Sequence, residues 1–153
     1  MSARPAVRIL LLLGITFVIA VLVLTVVQAP QATDIGMLLT YQVLGALVGF
    51  SSIAGVLWAV FVVIGSIRLR DRPRGRRVLW FSASAVLCAS INAVVVSALS
   101  AGADGWGGLI AAIAIGVAAI FVASAIAATL IVELVILRTR AAATPTTAPT
   151  AAP

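Results

Sequence analysis

Four long apolar runs, at about residues 7–27, 38–67, 77–100 and 109–137, take up most of the chain and leave only short polar connections between them. About 20 apolar residues suffice for a helix to cross a hydrocarbon core roughly 30 Å thick. In that medium the backbone must satisfy its own hydrogen bonds, which selects helices over irregular chain. The expected fold is therefore all-α: an integral membrane bundle of four transmembrane helices, forming one domain over residues 1–140. Composition agrees, with 63% hydrophobic and 9% charged residues, far from the roughly 25% charge of a soluble domain. Residues 141–153 contain only Ala, Thr and Pro. They offer no large apolar side chain to bury and are expected to stay disordered.

The connection RLRDRPRGRR, residues 68–77, sets the orientation. It holds six of the ten basic residues: Arg68, Arg70, Arg72, Arg74, Arg76 and Arg77. Two more arginines, Arg4 and Arg8, flank the start of the first run, and Arg138 and Arg140 follow the last. Four crossings place all ten on one side, with only Asp34 and Asp104 opposite. The positive-inside rule makes that side cytoplasmic, so both termini and the arginine turn are expected there. Pro73 and Gly75 keep a helix from running through the turn. The basic pI of about 11.6 would also suit nucleic acid. No recognition motif accompanies the charge, and every arginine adjoins an apolar run, so anionic lipid head groups are the expected partner of the turn and nucleic acid is not. The use of arginine alone, with abundant Ala and Val, associates the chain with a GC-rich bacterial genome. The expected location is the bacterial inner membrane, in multi-pass form.

The first run has the flanks of a secretory signal, but its length is that of a span, and cleavage after Ala29 would leave Pro30 at the cut. It is expected to remain as the first helix. The second run is longer than a crossing requires and is expected to tilt or protrude. Tyr41 and Trp106 suit the interfaces.

Hydrophobicity does not drive helices together in lipid; close backbone approach and interhelical hydrogen bonds do. Small residues recur at helical spacing: Gly45 and Gly49 in the second run, extended by Ser51 or Ser52 and Gly55; Ala85, Ala89 and Ala93 in the third; and Ala112, Gly116, Ala119, Ala123 and Ala127 in the fourth. Each stripe shares one helical face. Packing within one bundle is the preferred reading, and a homo-oligomer or a membrane-protein interface is the alternative.

Glu133 is the one ionisable residue embedded in an apolar run away from a loop, which makes it a functional candidate. Arg138 lies only about 7 Å further along the helix axis. An interfacial salt bridge, with an arginine of the turn as a partner within reach, is therefore preferred over ion coupling. Asn92, deep in the third run, is expected to bond across helices, with lining a polar path alongside Ser90 and Ser97 as the alternative. No cofactor, metal or disulfide is expected, since the chain has one cysteine, Cys88, and no histidine. With no lysine either, no nucleophile and base can be paired, and no enzymatic activity is expected.

Gly65, Asp71-Arg72 and Gly75-Arg76-Arg77 together resemble the cytoplasmic signature between the second and third spans of major facilitator transporters. The spacing departs from it, with five residues between Gly65 and Asp71 and two between Arg72 and Gly75. That family has about twelve spans, and the positive-inside rule accounts for the likeness. Small multidrug transporters share four spans but carry an acid in the first, which this chain lacks. The expected function is that of a non-enzymatic structural or accessory component packing with itself or another membrane protein. The alternative is a small oligomeric transporter or channel, with Glu133 and Asn92 near its path.

Overall fold

The computed structural model describes residues 4–31, 34–101 and 105–136. Asp104, Arg138, Arg140 and the 141–153 tail lie outside them. Among the described residues the chain is all-α, with no strand. Helices α1 (Arg4–Gln28), α2 (Ile35–Phe50), α3 (Ile53–Arg68), α4 (Arg74–Ser100) and α5 (Gly107–Leu130) follow in order, and α5 continues into a wider π-helical turn, Ile131–Ile136. α1, α4 and α5 are long and apolar enough to cross a membrane; α2 and α3 qualify together, as a pair bent by 67°.

That bend replaces the single long helix expected over residues 38–67. The cause is local. Ser51 still closes α2 through its N–H to the Leu47 carbonyl. Ser52 then adopts an extended conformation, ψ 165°, and caps α3, as serine commonly does at a helix start. Gly55 permits the turn to tighten: a Cβ there would lie 2.3 Å from the Phe50 carbonyl oxygen. Asp34 plays the corresponding capping role for α2, its carboxylate accepting from the N–H groups of Gly36 at 2.7 Å and Met37 at 3.3 Å.

The core lies where α3, α4 and α5 meet, with α1 against them. Leu12, Trp58, Val62, Phe81, Ala85, Cys88, Ala125 and Val132 form it. Ala85 and Ala125 are completely buried, which lets α4 and α5 form the most extensive helix pairing among the described residues. A row of edge-to-face aromatic contacts, Phe17–Phe50–Phe121–Trp58, then joins α1, the end of α2, α5 and α3. Trp58 Nε1 donates to the Phe81 carbonyl at 3.3 Å, so the indole fills the core without a stranded donor.

The small-residue stripes divide. Ala85 and Ala89 face the core. In α5, however, Ala112, Gly116, Ala119 and Ala123 point outward, and the buried row is Ser124, Ala125, Ala128, Thr129 and Val132. Spacing alone could not choose between these faces, because small residues line both. Polar side chains on the buried row close onto their own helix: Ser124 donates to the Ile120 carbonyl at 2.8 Å and Thr129 to the Ala125 carbonyl at 2.7 Å.

Gly65 lets α4 side chains close onto α3. A Cβ there would stand 2.6 Å from Trp80 Nε1 and 2.8 Å from Phe81 Cε1, and Phe81 is fully buried. Gly65→Ala is expected to destabilise the chain by about 1–3 kcal/mol through overpacking. Gly116→Ala, whose added carbon meets nothing within 4 Å, is expected to be near neutral. Thermal unfolding in detergent, followed by circular dichroism, compares the two.

Candidate functional site

Glu133 is the centre of the site. It sits in the π-helical turn that ends α5, and its side chain is completely buried. π-turns widen the helix and are frequent where function or strain disturbs the regular ladder. Here Val132 and Glu133 are consecutive and both fully buried, so one turn supplies a core side chain and a charged one.

A carboxylate removed from water is tolerated only when paired. Two arginines from different helices pair this one. Arg77, in the first turns of α4, donates from Nε to Glu133 Oε2 at 2.9 Å, and its Nη2 lies 2.8 Å from the same oxygen. Its remaining nitrogen, Nη1, donates to the backbone carbonyls of Arg72 at 2.7 Å and Arg70 at 3.4 Å. Arg77 therefore fastens the arginine turn to the end of α5. Arg8, from α1, places Nε 3.0 Å from Glu133 Oε1, outside hydrogen-bond geometry. Both arginine side chains are only 10% exposed. The cluster joins α1, α4, α5 and the turn between α3 and α4 at one end of the bundle.

This geometry separates Arg77 from the other arginines of the turn. Arg68, Arg70, Arg72, Arg74 and Arg76 are exposed, whereas Arg77 is buried. Head-group contact, expected of all six, is thus open to five. The physical reason is position: Arg77 is already inside α4, one turn beyond the capping Pro73, whose carbonyl accepts its N–H at 3.4 Å. Arg8 is the partner that sequence reasoning missed. Its signal was present, since Arg8 lies within an apolar run on the side where α5 ends, but nothing in the spacing distinguished it from a flanking topology charge.

The other candidates lie elsewhere. Asn92 and Ser52 line a cavity of about 170 Å³ between α2 and the α4–α5 pair, along with Gly45, Gly49, Val117 and Phe121. None of the side-chain hydrogen bonds among the described residues involves Asn92, so no interhelical bond from it is seen. Gly45 and Gly49 do not bring a second helix into backbone contact, since a Cβ on either would meet nothing within 4 Å. Ser90 is exposed and Ser97 half-buried. Phe121 of the cavity is twelve residues from Glu133, about 18 Å along a regular helix, which sets the two at different depths. No group of three metal-ligating side chains occurs among the described residues.

Removing one partner from a buried charge cluster leaves the others uncompensated, at about 3–5 kcal/mol. Glu133→Gln is expected to fall in that range because it strands two cations. Arg77→Gln is expected to cost more than Arg8→Gln, since Arg77 makes the hydrogen-bonded contacts and also holds the turn. The double variant Arg8→Gln/Glu133→Gln should cost less than the sum of its singles, and unfolding in detergent through a double-mutant cycle measures that coupling. No protein-family model, curated protein or solved structure matches the chain, so its function is argued from its own residues.

Proposed function

We infer that this chain is a small multi-pass membrane protein that acts by packing, with itself or with another membrane protein, and not by catalysis. In this reading α1, the bent pair α2–α3, α4 and α5 make four crossings of a bacterial inner membrane. The arginine turn and both termini are cytoplasmic, in keeping with the positive-inside rule.

One observation carries the reading: Glu133, the embedded acid on which ion coupling would rely, is locked between two guanidinium groups. A carrier carboxylate has to exchange its proton or cation with water. This one is fully buried, with Arg77 hydrogen-bonded to Oε2 and Arg8 standing 3.0 Å from Oε1, so both oxygens face cations rather than water. The cluster works as a fastening between helix ends. The arginines left exposed around it are free to meet anionic head groups.

The cavity beside Asn92 favours a second reading, a small transporter or channel whose path would pass between α2 and α5. The two readings part on flux. In liposomes holding the purified chain, the packing reading expects no proton or monovalent-cation flux above that of empty vesicles, for wild type and Glu133→Gln alike. Robust wild-type flux abolished by Glu133→Gln would replace it with the transport reading. For orientation, a reporter active only in the cytoplasm is expected to be active when inserted after Arg74 and inactive when inserted after Gly105; the reverse pattern would overturn the proposed sidedness.

A further inference from the structure

Because α2 departs by 67° after Phe50, it leaves one face of α3 uncovered. That face and the flank of α1 form an open apolar groove of about 460 Å³, lined by Leu13, Gly55, Val56, Val60, Val63 and Ile64. From Gly55 to Ile64 the groove runs nine residues along α3, about 14 Å at 1.5 Å per residue. That is close to half of a hydrocarbon core about 30 Å thick, the depth of one lipid leaflet. The groove's outer end has a fixed chemistry. Arg68 stands four residues beyond Ile64, on the neighbouring helical face in the last turn of α3, and it is exposed, as is Arg70.

We propose that this groove seats one acyl chain of an anionic phospholipid, with the lipid phosphate held by Arg68 and Arg70. The inference rests on the membrane reading above and adds to it a defined lipid position. Three features converge on that occupant: a lining without charge, a length matched to one leaflet, and cations at one end only. Guanidinium groups pair phosphate oxygens in a forked geometry, and an exposed ion pair with a net anionic head group contributes up to about 1 kcal/mol, roughly five-fold in affinity.

Native mass spectrometry of the detergent-purified full chain, after addition of phosphatidylglycerol or phosphatidylcholine with identical 16-carbon chains, tests it. One phosphatidylglycerol is expected to stay bound per chain, in at least about five-fold preference to phosphatidylcholine. Arg68→Gln/Arg70→Gln is expected to remove that preference, and Val60→Trp, which fills the groove from its exposed side, to lower retention of both lipids. Should Val60→Trp misfold, phosphatidylglycerol bearing a diazirine on its acyl chain supplies the second readout, with labelling expected on α3 between Gly55 and Ile64 rather than on the outward face of α5. Equal retention of the two lipids overturns the proposal. So does phosphatidylglycerol retention unchanged in Val60→Trp, which would mean head-group adsorption alone, or labelling spread evenly over all helices. A dimer that replaces the lipid adduct and is lost in Val60→Trp would assign the groove to a second copy of the chain and also overturn it. Retention in detergent does not depend on sidedness, so a failed topology reporter and a failed lipid adduct remain separate results.

Discussion

A buried carboxylate in an apolar bundle must find positive charge, and Glu133 finds it twice. This requirement decides which helix ends come together. Arg8 approaches Oε1 from α1 while Arg77 approaches Oε2 from α4, and the guanidinium of Arg77 also gathers the carbonyls of Arg70 and Arg72. Ion pairs at a protein surface contribute little because water screens them. Here both partners are almost entirely enclosed, so the geometry of the pair becomes a condition of the fold. The cluster holds two cations to one anion, and the surplus positive charge lies beside five exposed arginines at the same end of the bundle.

The rest of the bundle is held by shape. Alanines at the α4–α5 crossing and Gly65 at the α3–α4 crossing permit close approach, and a row of aromatic rings fills the space between α1, α3 and α5. α2 stands partly outside this arrangement. Its middle is tied to the end of α1 by a side-chain hydrogen bond, Gln42 Nε2 to Gln28 Oε1 at 2.6 Å. On its other flank it borders a cavity where a closer neighbour would have met Gly45 and Gly49. The two glycines thus sit where backbone contact is permitted but not made.

The helices were legible in the sequence because unbroken apolar length of this kind is what a membrane-spanning helix requires, and the arginine turn was legible because charge and proline interrupt that length so sharply. The break at Ser51–Ser52 was harder to read. Serine is tolerated inside a long apolar helix as well as at a cap, and the extended backbone of Ser52, with Gly55 too close to the Phe50 carbonyl to carry a side chain, shows that here it caps. The buried face of α5 was ambiguous for a similar reason: with alanine on every side, no periodic contrast marks the inner row. At the site, Glu133 stood out by its isolation, and an arginine of the turn was a natural partner. That Arg77 alone would turn inward, and that Arg8 would join it from the other end of the chain, follows from where the helices pack, which local spacing does not contain.

The distance along the chain between Arg8 and Glu133 also orders events in time. Helices emerge from synthesis in sequence, so α1 exists with its arginine before the turn that ends α5 brings the acid. Until then Arg8 and Arg77 lack the carboxylate that both approach in the folded chain. With the final turn of α5 in place, one anion stands between two cations that would otherwise only repel each other. The same carboxylate therefore ties a residue made early to residues made later, and the fastening of α1 to α4 waits on the turn that ends α5.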